Sequence, residues 1–393
     1  MTLKDILKII VPVSLRRFIF EAPKYFCYFF RVNETKIVFL NFDGKGFGDN
    51  PKYICSEILR QKLNLDCVWL LEDMKSFLPT GVRRISIHSL RCFYELATAH
   101  IIVINSNNVL PGRLKKKDGQ IVIQTWHGSH GFKYIERQAD DMLSESYIHD
   151  SKLNTKMTDV FISDGPDNTK MYRDSFQCTC DVIETGMPRE DILFENDSSH
   201  LAKIRELLRI PKNKSILLYA PTFRDDGSTE AYDLDFPRVL DALKQRFGGD
   251  WIALLRLHPN VRNYNVCSSN KDILDVSSYG DVQELIAISD VVITDYSSIY
   301  HDFFISNKPV FLYTPDLSGY VQSNRNLKPE FFKMPWKYNR NIDELLNEIY
   351  AFNETKYKKM TSNYINQIGA IIDGKASYRV VEYITAVYNF LNK

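Results

Sequence analysis

The sequence is short of the features that mark several large classes of protein. Neither sign of charge is in excess, with 50 basic against 49 acidic side chains and a net charge of +1, so the basic surplus of a general nucleic-acid binder is missing and no nucleic-acid partner is expected. No uncharged apolar run approaches the roughly 18–20 residues that cross a bilayer. No small-residue cleavage pattern follows the first apolar stretch, as a secretory leader would require. Cysteine is sparse and odd in number, seven in all, and only Cys178 and Cys180 lie close together. That is not the paired spacing of a structural zinc site, and the set reads as reduced thiols of a cytosolic compartment. Polar low-complexity tracts are absent as well. With 44% apolar and 13% aromatic residues the chain has the material for large cores without disulfide or metal cross-links.

Familiar catalytic signatures are missing too. Gly44-Lys45-Gly46-Phe47-Gly48 does not make G-x-G-x-x-G, and there is no P-loop, no G-x-S-x-G elbow and no H-E-x-x-H. Asp233-Leu234-Asp235 has the form of a metal-binding D-x-D, but its position suits the acidic first turn of a helix.

What the chain does have is a change of texture near residue 33. Before it, Lys4, Lys8, Arg16, Arg17, Lys24 and Arg31 face only Asp5 and Glu21, interleaved with Ile6, Leu7, Ile9, Ile10, Phe18, Phe20, Phe26 and Phe29. This predicts an amphipathic helical segment over residues 1–32, divided by Pro12 and Pro23 and lying on a membrane surface with its charges toward anionic lipid. A helical hairpin capping a domain, or an oligomer contact, would read the same way. From Lys36 onward short apolar runs alternate with helical stretches. Strands are expected at residues 37–40, 67–71, 101–104, 121–124, 161–163 and 182–184, then at 216–219, 251–256, 273–275, 291–294 and 310–313. Helices at 49–62, 199–209, 236–247, 282–288, 342–350 and 378–391 fill the gaps. Such alternation implies parallel sheets covered by helices. The fold class is therefore α/β, with Rossmann-like domains over residues 33–195 and 196–393 facing each other across a cleft.

Ligands of such sheets bind at the carboxyl ends of strands, which singles out four loops. After the strand ending at Gln124 comes Thr125-Trp126-His127-Gly128-Ser129-His130-Gly131-Phe132-Lys133. His127 is suited to proton transfer near neutral pH, and Gly128 leaves room for a substrate; a structural histidine is the plainer reading, more so for His130. Arg224, in Ala220-Pro221-Thr222-Phe223-Arg224-Asp225, offers a planar fork for phosphate oxygens, unless it pairs with Asp225 or Asp226. His258 is held by Pro259 in Arg256-Leu257-His258-Pro259. The fourth loop, Thr294-Asp295-Tyr296-Ser297-Ser298, ends a buried strand and begins a helix. Its hydroxyls and free N–H groups suit an anion, and Asp302 one turn on suits a sugar or polyol hydroxyl; simple capping by Ser297 is the alternative.

In this order, Trp126-His127-Gly128, Tyr219-Ala220-Pro221-Thr222-Phe223-Arg224, Arg256-Leu257-His258-Pro259 and Thr294-Asp295-Tyr296-Ser297-Ser298 resemble the CDP-glycerol:poly(glycerophosphate) glycerophosphotransferases. That family includes teichoic-acid primases and polymerases and related capsule polymerases. Gly186-Met187-Pro188-Arg189-Glu190-Asp191, Asn307-Lys308-Pro309-Val310 and Asp373-Gly374-Lys375-Ala376-Ser377-Tyr378-Arg379 match further signatures, and the likeness runs roughly from residue 36 to 390. The resemblance implies a GT-B-like fold and transfer of a polyol phosphate from a CDP-activated donor, with release of CMP. The donor is CDP-glycerol or, as the alternative, CDP-ribitol; the acceptor is a lipid-linked or polymeric glycan or polyol phosphate at the cytoplasmic face of the membrane. No cofactor is firmly implied, and a divalent metal is left open. In this likeness His127 takes the place of the catalytic base, with His258 as a second catalytic histidine. Arg224, His258, Thr294, Asp295, Ser297, Ser298 and Asp302 fall on the donor side, and Gly128, Ser129, Lys133 and Arg189 on the acceptor side. The family pattern reads W-H-G-T-P-L-K, whereas this chain has Ser129-His130-Gly131-Phe132-Lys133, a departure that bears on the acceptor more than on the reaction class. A sugar transferase on the same scaffold is the nearest rival, and a catalytically silent scaffold for polymer synthesis a more distant one.

Overall fold

A computed structural model describes residues 26–391, apart from 109, 112–113, 196–197, 225–229, 258–260, 262–269, 324–326 and 335. Most of the expected membrane-surface segment, residues 1–25, lies outside the described residues, as does His258.

The first sheet contains β1 (Asn33–Leu40), β2 (Asp66–Leu71), β3 (Arg83–Ser86), β4 (Ala99–Ile104), β5 (Ile121–Gln124), β6 (Val160–Ser163) and β7 (Asp181–Glu184). All pairings are parallel, in the order β3-β2-β1-β4-β5-β6-β7. The second contains β8 (Lys214–Ala220), β9 (Asp250–Leu255), β10 (Ile273–Asp275), β11 (Val291–Thr294), β12 (Val310–Tyr313) and β13 (Tyr338–Asn339), parallel in the order β10-β9-β8-β11-β12-β13. The expected strands are all present. The two unforeseen ones, β3 and β13, are edge strands of sequence RRIS and YN, too polar or too short to make an apolar run.

Alternation places Ile37 and Phe39 on one face of β1 with Ile54 and Trp69, and Val38 and Leu40 on the other with Val68 and Leu96. In the second sheet Ile216 and Leu218 pack with Leu285 and Phe303, whereas Leu217 and Tyr219 pack with Val239 and Leu345. Burial on both faces is why these strands are almost uninterrupted apolar runs. Asp235 caps the helix Phe236–Phe247 by accepting from Arg238 N at 3.2 Å, so the D-x-D sequence opens a helix. The six described cysteines are free thiols. In each sheet the strand order reverses between the first strand and its later neighbour, β1 beside β4 and β8 beside β11. Such switch points open a crevice at the carboxyl ends of the strands.

One part of the expected division fails. The last helix, Ala376–Leu391, does not stay with the second domain; its Val380, Val381 and Ile384 belong to the core of the first sheet, beside Ile54 and Trp69. Its apolar periodicity announces a buried face without saying which sheet receives it. Asp191 fixes the start of this helix, accepting from Ala376 N at 2.9 Å and Ser377 N at 2.7 Å. The incoming segment passes so close to Gly186 that a Cβ there would lie 2.7 Å from Ile371 O, and Gly186 has φ of +82°. Gly186→Ala is therefore expected to lower the unfolding free energy by about 1–3 kcal/mol. A denaturant titration reads this as a lower midpoint; an unchanged midpoint would show that the crossing tolerates a side chain.

Candidate active site

Beyond β5 the chain turns sharply. Trp126 has φ of +51°, a region that bulky L-residues avoid unless surrounding contacts impose it. Gln124 and Asn50 impose it here: Gln124 Oε1 accepts from Trp126 N at 2.9 Å, and Asn50 Nδ2 donates to Trp126 O at 3.0 Å. His127 follows, half-buried, with its ring against Phe42 and Trp126. Its Nδ1 lies 2.6 Å from Asn105 O. A carbonyl only accepts, so Nδ1 carries the proton and Nε2 of the neutral ring keeps its lone pair. Burial is the main influence on this imidazole and holds its pKa below the ordinary 6.5, against the opposing pull of Asn105 O and Asp49. Asn105 is itself pinned, donating to Asn41 Oδ1 and accepting from Phe42 N, both at 2.8 Å.

Arg189 holds this loop from below. It is buried, and Nη1 donates to His127 O at 2.7 Å while Nη2 reaches Asp302 Oδ1 at 3.3 Å. Asp49 and Glu190 lie 3.7 and 3.9 Å away, and the Arg189 backbone N donates to Asn50 Oδ1 at 3.0 Å. The second oxygen of Asp302 accepts from Gln283 Nε2 at 3.2 Å. Arg189 and Asp302, expected on the acceptor and donor sides, thus form a buried cross-link between the two domains. Burial raises the Asp302 carboxyl, and Arg189 and Gln283 work against that rise.

The same loop then meets the second domain. A Cβ on Gly128 would lie 3.6 Å from Ser298 Oγ, and one on Gly131 would lie 3.9 Å from Ser298 Cβ. Phe132 enters the core of the second sheet, stacked on Tyr300 with ring centres 4.0 Å apart. Lys133 forms a bridge with Leu327 and lies over the Tyr320 ring. Ser129 is fully buried. Ser297 Oγ accepts from Ile299 N at 3.3 Å, the capping expected of it. Of the residues singled out in the sequence, the structure brings His127, Gly128, Ser297 and Ser298 to one place.

Arg224 belongs to a separate buried knot. It is 1% exposed; Nε and Nη2 bond Asp316 at 2.6 and 3.1 Å, Nη2 meets Asp295 at 2.8 Å, and Nη1 donates to Thr222 O at 2.6 Å. Tyr296 and Tyr320 cover its planar faces. The fork expected to grip donor phosphate is engaged by Asp295 and Asp316; Asp225 and Asp226 lie outside the described residues. Asp295 also accepts from Thr222 N at 2.9 Å and from Tyr296 N at 2.6 Å, and Thr294 Oγ1 donates to Ala220 O at 2.7 Å. These donor-side candidates are held by one another and by backbone groups. Residues missed from the sequence include Asn50, Asn105 and Asp316. Asn105 and Asp316 lie just past β4 and β12, so the strand-end rule that pointed to His127 applied to them equally. Arg224→Ala, which strands two acids, is expected to lower stability by about 3–5 kcal/mol. Wild-type stability in denaturant combined with weakened donor affinity would return Arg224 to a phosphate-contact role.

Among the described residues no helix is long and apolar enough to cross a membrane. A teichoic acid poly(glycerol phosphate) polymerase of Bacillus spizizenii is 30% identical over 367 residues, covering 89% of this chain and 92% of that protein. A teichoic acid poly(ribitol-phosphate) polymerase of the same species is 30% identical over 365 residues, but there the chain spans only 56% of the relative's length. The solved structure of the wall teichoic acid polymerase TagF, a His-to-Asn variant soaked with CDPG, superposes with a TM-score of 0.83 at 27% identity, covering 97% of this chain and 98% of that one. The paired parallel-sheet architecture expected from the resemblance is therefore the architecture found. The family model described as CDP-Glycerol:Poly(glycerophosphate) glycerophosphotransferase matches residues 24–386, and the chain belongs to that family.

Proposed function

We propose that this glycerophosphotransferase moves glycerol phosphate from CDP-glycerol to a hydroxyl of a lipid-linked or polymeric acceptor and releases CMP. The observation that carries the reading is the His127 imidazole: neutral, oriented by Asn105 O, and borne on the loop whose next residue, Gly128, approaches Ser298 of the second domain. In the assigned step the acceptor oxygen bonds to the β-phosphorus of the donor. The bond from that phosphorus to the oxygen retained by CMP breaks, and the acceptor proton passes to His127 Nε2. Hydroxyls of Ser297 and Ser298 steady the diphosphate as charge moves onto the leaving group. His258, outside the described residues, is assigned to the diphosphate by its motif alone. Arg189 and Asn105 act through His127 by holding its loop and its ring.

The glycerol reading draws on the poly(glycerol phosphate) relative, covered over nearly its whole length. A ribitol-phosphate relative of equal identity supports CDP-ribitol as a second reading. Membrane-surface attachment is supported by exposed Phe26, Phe29 and Phe30, which continue the aromatic and basic pattern of the preceding residues.

Incubating the full chain with CDP-glycerol, CDP-ribitol, UDP-sugars and GDP-sugars, then separating nucleotides and weighing products, tests the proposal. CMP from CDP-glycerol with a gain of glycerol phosphate on the acceptor is expected; UDP or GDP release instead would replace it by glycosyl transfer. His127→Gln is expected to lose about 10²–10⁴-fold in turnover while still binding donor in equilibrium dialysis. Lost donor binding with unchanged saturated turnover would sink the base assignment. A base works only when unprotonated, so its rate falls as pH drops through its pKa. With burial holding that pKa down, kcat/KM should stay level through 6.5 and decline only below it.

A further inference from the structure

Next to the site, and unused by the transfer step, four ionisable side chains converge where the domains touch. His130, on the loop that carries His127, has Nε2 3.0 Å from Asp164 Oδ2 at the end of β6. His301, from the helix Ile299–Ile305 of the second domain, has Nε2 3.8 Å from the same oxygen and 3.9 Å from Glu190 Oε1. The imidazole centres are 4.7 Å apart, and one ligand atom from each of His130, Asp164 and His301 lies within 4.8 Å of the others. The side chains of His130, Asp164, His301 and Glu190 are 5%, 0%, 0% and 4% exposed. Yet among the described residues neither His301 Nε2 nor Glu190 Oε1 has a hydrogen-bond partner, although buried polar atoms are nearly always satisfied.

We infer that these residues form a site for a divalent transition-metal ion of the zinc class, bound between the two domains. Two imidazoles with one or two carboxylates are a donor set such an ion takes, at about 2.0–2.2 Å per ligand. In a tetrahedral site that places neighbouring ligand atoms about 3.3 Å apart, and the separations from Asp164 Oδ2 fall on either side of this value. Metal-bound imidazoles are usually held through their other nitrogen. That support is present: His130 Nδ1 faces Asp167 Oδ2 at 3.2 Å, and His301 Nδ1 faces Tyr364 OH at 3.3 Å. The ligands come from the His127 loop, the end of β6, the link before the second domain and a helix within it. The ion would therefore tie the domains together three residues from His127 while taking no part in the transfer itself.

The full chain, purified without chelator, is assayed for metal by inductively coupled plasma mass spectrometry, then stripped and titrated with zinc chloride alone and with cobalt(II) followed by visible absorption. About one zinc per chain and the intense visible bands of four-coordinate cobalt are expected. His301→Gln and Asp164→Asn should weaken zinc at least tenfold, and Asp167→Asn, which only orients His130, should weaken it within the range of about 10–100-fold without abolishing it. No retained metal together with no saturable zinc or cobalt binding would overturn the site, leaving an imidazole–carboxylate ion pair in its place. Equal zinc affinity in wild type and His301→Gln would overturn it as well. If circular dichroism shows that the buried variants do not fold, the wild-type stoichiometry and the cobalt spectrum decide.

Discussion

A guanidinium shut away from water, that of Arg189, lies among Asp49, Glu190 and Asp302 and donates to the carbonyl of His127. Such a group is tolerable in a protein interior only where its charge is matched, and taking away one partner leaves the others stranded. The acids that match it come from three places: the start of the first long helix, the link between the sheets and a helix of the second domain. Satisfying Arg189 therefore requires both domains to be in register, and the loop bearing the candidate base is fixed by the same act. Lys52 adds a second tie at the rim, reaching Asp281 at 2.6 Å and Glu284 at 2.5 Å across the boundary.

Around this clamp, polar side chains divide into those that hold and those left to react. Arg224, Asp295, Asp316 and Thr222 satisfy one another, and Asn41, Asn105 and Asn50 are consumed by backbone groups. Side chains satisfied in this way are fixed in place by protein partners. His127 Nε2 stands out because, among the described residues, only the other ring nitrogen is engaged. The bulky aromatic rings of Phe42 and Trp126 on either side keep it from ionising early and from turning away.

Much of the fold was legible because parallel strands buried on both faces leave an unmistakable trace, as in the apolar run Val291-Val292-Ile293. The strand Tyr338–Asn339 leaves none, since two residues, one of them an asparagine, make no apolar run. The site was legible in its loops and less so in its roles. Sequence shows that Arg224 lies in the loop after a strand; it does not show that Asp316, remote along the chain, arrives to occupy the guanidinium. Asp302 reads as a helix-borne acid near a ligand, and only the three-dimensional arrangement reveals that Arg189 claims it. His130 looked structural beside His127, and its company with Asp164 and His301 depends on a meeting of two domains that no local pattern encodes.

The return of the helix Ala376–Leu391 to the first sheet carries a consequence for biosynthesis. Strands β1 to β7 leave the ribosome early, yet the hydrophobic layer over Ile54 and Trp69 is completed by Val380, Val381 and Ile384. At about 5–20 residues per second, the early half waits many seconds with part of its apolar face uncovered, until the second sheet has been made and this helix swings back. Completion of the first core thus depends on a segment translated after the whole of the second sheet.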